Sequence, residues 1–301
     1  MNIIGHESER QFLHEAVKTG SVTQSYLFCG PRGIGKSLCA LEFAMLLGGE
    51  PNFEPTEEKK HPFDVMILRP SEETKKGITK RKNISAEAVR EGLTFLSHFP
   101  SIGTYRVLII EDAHRLSETA QNVLLKNLEE PKSTAVIILV TEEPGSLLPT
   151  VLSRVKRVPF QFVPEKTLTE SLKKGFRTEE LASVAPFFFS LGRPGMVLNA
   201  LMHPDTFVME RELLGKLFRL STLSLPERLA LAETLGTHTD RTLRLLEWWL
   251  PGLYQQAFQV QEKKRTIRFF RLLEDIEQTM RLLKTTQSNS RLLLEKLFLG
   301  V

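Results

Sequence analysis

An α/β domain on a mostly parallel sheet, followed by helical segments, is the fold class that this chain of 301 residues predicts. Three observations carry the prediction. Up to Phe160, short apolar runs alternate with helical patterns, the βα rhythm of a parallel sheet covered by helices on both faces. Residues 30 to 37 read Gly30-Pro31-Arg32-Gly33-Ile34-Gly35-Lys36-Ser37, a complete G-x-x-x-x-G-K-[S/T] loop between an apolar run and a helical pattern. After Pro164 the strand signals fade, and leucines recur at helical spacing.

The elements follow in order. A helix is predicted over 7–18. Tyr26-Leu27-Phe28-Cys29 is the first strand, and a helix over 36–47 follows the glycine-rich loop. Residues 49–62 are polar and marked by proline, so they read as a loop. A strand is predicted at 64–68. The stretch from Glu72 to Lys82 holds Lys75, Lys76, Lys80 and Arg81. It reads as a solvated flexible loop, with a DNA-facing surface as the other reading. A helix at 85–97, a strand at 106–110, a helix at 117–129 and a strand at 135–140 come next. A short strand near 155–160 closes the first domain. Residues 165–203 form a small helical unit interrupted at Gly192-Arg193-Pro194-Gly195.

From about 206 the pattern is helical to the end. Leu213, Leu214 and Leu217 recur at helix spacing, as do Leu243, Leu246, Trp249 and Leu250. So do Leu272, Leu273, Ile276 and Met280, then Leu292, Leu293, Leu294, Leu297 and Phe298. These stripes read as core or subunit interface. The basic residues Lys263, Lys264, Arg265, Arg268 and Arg271 read as a solvated helix face, with DNA contact as the alternative.

Composition narrows the function classes. With 41% apolar and 25% charged residues the chain is an ordinary globular protein. A net charge of +4 permits nucleic-acid contact without arguing for it. The two cysteines, Cys29 and Cys39, have neither the number nor the spacing of a disulfide framework or zinc site. They are expected to pack as small apolar side chains. The opening Met1-Asn2-Ile3-Ile4-Gly5-His6-Glu7 does not read as a signal peptide. No apolar run is long enough to span a bilayer. The expectation is a cytoplasmic protein with no membrane partner.

The loop at 30–37 predicts a phosphate site. Backbone N–H groups and the following helix N-terminus cradle phosphates. Lys36 would reach the β- and γ-phosphates, and the Ser37 hydroxyl would meet Mg²⁺. The strand Arg106-Val107-Leu108-Ile109-Ile110 ends in Glu111 and Asp112. Such a pair positions the metal and polarises the attacking water in ATPases. The usual order is Asp then Glu. The reversal puts Glu111 one methylene too long for the metal and leaves Asp112 short of the water. A misplacement of about 1 Å can cost roughly 100-fold in rate. Nucleotide binding is therefore predicted more firmly than efficient turnover. Thr141, ending the strand from Ala135, either senses the γ-phosphate or caps the next turn. Arg154, in Thr150-Val151-Leu152-Ser153-Arg154, is by itself a surface arginine or one supplied to a neighbour's nucleotide.

With these residues in place the chain resembles bacterial DNA polymerase III clamp-loader subunits of the delta-prime type, which are AAA+ ATPases. The resemblance rests on several words. They are Ile3-Ile4-Gly5-His6, the 30–37 loop, Ile84-Ser85-Ala86-Glu87-Ala88-Val89-Arg90 and Asp112-Ala113-His114-Arg115-Leu116. The most specific is Asn122-Val123-Leu124-Leu125-Lys126-Asn127-Leu128-Glu129-Glu130-Pro131. Ser153-Arg154, Gly192-Arg193-Pro194-Gly195 and Asn289-Ser290-Arg291-Leu292-Leu293-Leu294-Glu295 extend it along the chain. It implies a P-loop domain over 1–163, a small helical lid over 164–204 and a helical collar over 205–301. It also implies an ATP site in which Ile4 lies near the adenine, with Glu111 and Ser37 on the Mg²⁺ side. Arg154 becomes an arginine finger for an adjacent motor subunit. The implied partners are motor and delta-like subunits through the collar, the sliding clamp, and the backbone of primer–template DNA.

Four departures qualify the resemblance. His61-Pro62-Phe63-Asp64 is present, but residues 48–60 contain no cysteine, so no zinc module is expected. Val155 replaces a cysteine after Ser153-Arg154. Gly195 or Met196 stands where motor subunits place a sensor arginine, with Arg193 a weak substitute. Glu111 replaces the motor aspartate. These place the chain nearer a stator than a motor. The rival readings are a gamma/tau-like motor, which usually carries further C-terminal domains, another AAA+ DNA remodeller, and a scaffold retaining an unused P-loop. No helix-turn-helix, zinc finger or polymerase domain is legible.

Overall fold

The computed structural model describes residues 3–52, 62–75, 78–176, 192–202, 204–259, 263–285 and 289–300. Most of the predicted loop at 49–62, including His61, lies outside them, as do Lys76 and residues 177–191. The chain packs as two compact units. One comprises Met1–Ser71 and Lys82–Leu201; the other comprises Glu72–Arg81 and Met202–Val301.

The first unit is built on a five-stranded parallel sheet of β1 (Ser25–Cys29), β2 (Val65–Leu68), β5 (Arg106–Ile110), β6 (Ala135–Thr141) and β7 (Lys156–Pro159). Its order is β2-β5-β6-β1-β7. Strand alternation splits the core in two. Val107, Ile109, Val136, Ile138, Tyr26 and Phe28 bury one face against α1 (Glu7–Lys18) and α2 (Lys36–Leu47). Leu27, Leu108, Ile110, Ile137 and Leu139 bury the other against α3 (Ala86–Ser97) and α4 (Glu118–Glu129). Buried on both faces, these strands read as continuous apolar runs. Ser85 and Ser117 cap α3 and α4 by accepting from the amides of Ala88 and Ala120. A short α5 (Pro149–Leu152) precedes β7, and α6 (Glu165–Lys173) and α7 (Pro194–Met202) follow among the described residues. The cysteines pack as expected. Cys39 lies in the α2 core, where burial and the Glu42 carboxylate push its thiol up to about 12.

The second unit carries α8 (Pro204–Phe218), α9 (Leu225–Gly236), α10 (Thr239–Gln259), α11 (Lys263–Thr285) and α12 (Ser290–Leu299). Of the predicted stripes, Leu213, Leu217, Leu243, Leu246, Trp249, Leu273, Ile276, Leu294, Leu297 and Phe298 are buried, whereas Leu292 is exposed. The side chains of Lys263, Lys264, Arg265 and Arg268 lie outside the described residues; Arg271 is exposed. One expectation is corrected. The basic stretch read as a flexible loop forms a hairpin of β3 (Glu72–Lys75) and β4 (Ile78–Arg81). Its antiparallel register sets Glu72 across from Arg81 and Glu73 across from Lys80.

Candidate nucleotide site

The glycine loop joins β1 to α2 at the carboxyl end of the sheet, where open α/β sheets bind ligands. Gly30 has φ 149°, and a Cβ there would sit 2.2 Å from the Phe160 carbonyl oxygen. Its amide donates to the Thr141 carbonyl over 3.3 Å, while the Phe160 amide donates to the Cys29 carbonyl over 2.7 Å. The loop is thereby anchored to the ends of β6 and β7.

Gly35 starts α2 with φ 108°, no side-chain cap and no acidic residue in the first turn. A Cβ at Gly35 would enter open space. The helix N-terminus is thus kept clear for an anion. Lys36 is buried, and its Nζ donates to the carbonyls of Gly30 and Pro31, each at 2.7 Å. Burial lowers its ammonium to about 8, partly opposed by Glu142 and then Asp112, while Arg193 adds to the lowering. Ser37 is half-buried one residue on. A carboxylate-free helix start beside a buried ammonium fits a polyphosphate.

The adjoining strand ends divide the acidic residues. Register pairs Leu68 with Ile110, which brings the next residues together. Arg69 grips Glu111 at 2.8 and 3.3 Å. The carboxylates whose charge opposes the lowering at Lys36 are Glu142 and then Asp112. Asp112 adopts a left-handed conformation, φ 49°, which is uncommon for a non-glycine residue and clusters at functional sites. Thr141 is buried; its Oγ1 accepts from the Glu143 amide at 3.1 Å and lies 3.4 Å from His114 Nδ1. His114 Nε2 lies 3.9 Å from Glu142 Oε1. Burial pushes this imidazole below its ordinary value, against the pull of Glu142, Asp112 and Glu143.

The N-terminus of α7 covers the loop. The Gly195 amide donates to the Gly33 carbonyl at 2.8 Å, and a Cβ at Gly195 would come within 2.9 Å of that oxygen. At Gly33 a Cβ would meet Met196 Cγ at 3.2 Å. The Val163 amide donates to the Gly192 carbonyl at 2.9 Å. On the opening segment Ile4 is buried, and His6 Nε2 lies 2.7 Å from the Ile34 carbonyl oxygen. Ile34 is buried, while Pro31 and Arg32 are half-buried. The segment 4–6, Val163 and the start of α7 therefore gather around the loop.

Arg154 lies elsewhere. Its guanidinium pairs with Glu129 at 2.7 Å and donates to the Thr150 carbonyl at 2.9 Å and Ser153 Oγ at 3.2 Å. About a third of its side chain is exposed, and it is not among the charges dominating Lys36.

Glu142 and His114 are the site neighbours to which sequence reasoning gave no role, and Arg193 entered it only as a weak substitute for a sensor arginine. Their signal was positional: Glu142 follows Thr141, and β6 pairs with β1 so that Thr141 faces Cys29. Among the described residues, no group of His, Cys, Asp and Glu could hold a metal ion by itself. Also among them, no helix is long and apolar enough to cross a membrane.

A parallel sheet in this order, with a phosphate loop after β1, acidic residues after the adjacent strands and helices over both faces, defines the AAA+ P-loop class. A sequence model described as "DNA polymerase III, delta subunit" matches residues 5–164, and the chain belongs to that family. Its wider kin are the tau, gamma and delta-prime subunits of bacterial clamp loaders. It is 31% identical over 182 residues to DNA polymerase III subunit tau of Bacillus subtilis, covering 60% of this chain and 32% of that protein. It is likewise 31% identical over 175 residues to subunit delta' of the same organism, covering 54% and 49%. The matched segment therefore spans about a third of tau and about half of delta'. A solved gamma subunit-related protein from Thermotoga maritima matches with TM-score 0.59 at 21% identity, over 95% of this chain and 97% of that one. At that identity the match bears on the fold alone.

Proposed function

We propose that the chain is an ATP-binding subunit of a DNA polymerase III clamp loader. In this reading, Gly30 to Ser37 cradle the phosphates, Ile4 borders the base, and Ser37 meets Mg²⁺ on the nucleotide. The observation that carries it is the buried Lys36 ammonium beside a helix start free of carboxylates. On binding, Lys36 exchanges the carbonyls of Gly30 and Pro31 for phosphate oxygens. Equilibrium titration tests it: the full chain should bind Mg²⁺–ATP, and Lys36→Ala should lose that affinity. A wild-type chain with no affinity in the millimolar range would leave a scaffold that keeps the loop unused.

Within the loader we assign the chain a delta-prime-like role. The segments 1–163, 164–204 and 205–301 act as P-loop domain, lid and collar, and the collar joins motor and delta-like subunits. The assembly places a sliding clamp on primer–template DNA. Arg154, held by Glu129, reaches a neighbour's ATP. Glu111 is occupied by Arg69, which supports weak hydrolysis in cis. Thr141 senses the γ-phosphate through its hydroxyl. The rival motor reading is favoured by the number of tau and gamma/tau relatives, including those of Bacillus subtilis and Mycobacterium tuberculosis.

Clamp- and primer-stimulated ATP turnover in a reconstituted loader separates the two. With this chain's Lys36→Ala present throughout, Arg154→Ala should cost about 10³-fold, the scale of a lost arginine finger. Unchanged turnover at equal assembly removes the trans role. A large loss from Lys36→Ala alone supports the motor.

A further inference from the structure

His6 is a buried polar side chain to which the nucleotide reading gives no task. It closes a turn of two left-handed residues, Gly5 at φ 77° and His6 at φ 64°. A Cβ at Gly5 would come within 2.9 Å of Val163 Cγ2, so the turn is closely packed. The His6 carbonyl accepts the Arg10 amide at 2.9 Å and so enters the first turn of α1. Its ring packs edge-on against Phe160, with centroids 5.0 Å apart. Held at backbone and ring, it sets Nε2 2.7 Å from the Ile34 carbonyl oxygen. A carbonyl oxygen only accepts, so the proton of this bond sits on Nε2.

The Ile34 carbonyl and the Gly35 amide share one peptide plane, and in a trans peptide they point in opposite directions. That plane can turn only about Ile34 ψ and Gly35 φ. Glycine resists such rotation least, and a Cβ at Gly35 would meet nothing within 4 Å. The Ile34 side chain is fully buried, which leaves its carbonyl as the handle on the plane. A bond to that oxygen therefore sets where the Gly35 N–H points. We propose that His6 is a positioning residue for the phosphate loop: by holding the Ile34 carbonyl, it aims the Gly35 amide at the bound phosphate. The proposal rests on the reading of the loop as a nucleotide site. It gives the opening segment, where Ile4 borders the base in that reading, a second task on the phosphate side.

Displacement of a fluorescent Mg²⁺–ADP analogue from the full chain, by Mg²⁺–ADP and by Mg²⁺ with inorganic pyrophosphate, tests the assignment. The readout is the pair of affinities, which a loss of folded protein does not move. His6→Asn keeps a side chain at ease in the left-handed region but ends short of the Ile34 oxygen. His6→Gln carries an amide nitrogen to the place of Nε2 and can donate again. His6→Asn should weaken ADP and pyrophosphate by the same factor, about tenfold, and His6→Gln should restore most of both. Unchanged affinities in His6→Asn overturn the assignment and leave the nucleotide site standing. A loss confined to ADP also overturns it, since His6 would then serve the base. An equal loss in His6→Gln overturns the role of the Nε2 donor. A wild-type chain that binds ADP but is not displaced by pyrophosphate overturns it too, because the loop would not hold phosphate by itself. If the wild type does not bind the ADP analogue, the nucleotide reading falls and the assignment with it.

Discussion

Lys36 makes the site sensitive to pH in a direction that can be worked out. Burial lowers its ammonium from an ordinary 10.5 to about 8. Between those values the unfolded chain holds more protons than the folded one, so this lysine adds stability as pH rises from about 8 towards 10.5. Phosphate oxygens act oppositely and favour the charged form. Nucleotide affinity should therefore fall as pH rises above about 8, by up to about tenfold per unit. Binding at pH 8.5–9 (roughly one unit above the midpoint) should take up a proton. Calorimetry in buffers of different ionisation enthalpy measures that uptake. Identical heats in all buffers would mean that Lys36 is already fully charged in the empty site at that pH, against the lowering that its burial predicts. Asp64 makes a second residue-scale case. Fully buried, its carboxylate accepts from the amides of Ser101, Ile102 and Gly103 at 2.8 to 3.3 Å and lies 3.4 Å from Arg106 Nε. Asp64→Ala strands three donors and a cation and should cost about 3–5 kcal/mol, read from the urea midpoint. A loss below about 1 kcal/mol would mean that water replaces the carboxylate without penalty.

At the scale of elements, the contact between α7 and the loop is the most exacting. Gly195 stands in a helical first turn, where alanine would ordinarily be favoured by propensity. Here the added carbon would lie 2.9 Å from the Gly33 carbonyl oxygen, and backbone cannot yield as a flexible side chain does. Gly195→Ala should destabilise by about 1–3 kcal/mol, as overpacking does, and weaken nucleotide binding in parallel. A stabilised variant in thermal unfolding would show that α7 moves off the loop without cost. This contact was illegible in sequence, because Gly192-Arg193-Pro194-Gly195 reads only as a break between helices. The strands were legible for a plain reason: apolar runs buried on both faces need no tertiary information. Pairings between strand ends do need it. Arg69 meets Glu111 because β2 and β5 are parallel neighbours in a given register. Glu142 comes beside the loop through β6 and β1. Single residues therefore announced the phosphate loop, while the charges that tune it came from sheet order.

For the whole molecule, acid should act on the two units unequally. Glu42 is held below its ordinary 4.5 by its hydrogen bonds to Arg10, at 2.6 and 2.8 Å. Burial opposes the charge on Asp64, but the amides of Ser101, Ile102 and Gly103, with Arg106, keep that carboxyl below its ordinary 3.8. For a depressed carboxyl the stabilisation is complete above the unfolded value and disappears as pH falls through the folded one. Both groups lie in the unit carrying the sheet. That unit should lose stability as pH drops below about 4.5, with the loss deepening below 3.8. In the helical unit Glu227 is also held low, first by the Ser224 hydroxyl, but it is fully exposed and its linkage is screened. The chain supplies its own reporters, since both tryptophans, Trp248 and Trp249, belong to the helical unit and are buried there. Between pH 5 and 3 (roughly the span in which paired carboxyls titrate), hydrogen exchange in β1, β5 and β6 should accelerate before tryptophan emission shifts red. Asp64→Asn, which cannot ionise, should flatten the acid limb of the sheet unit and leave the tryptophan response in place. If the tryptophans respond first, the carboxylates governing acid stability lie in the helical unit, and Asp64 is a neutral hydrogen-bond acceptor whose charge contributes little.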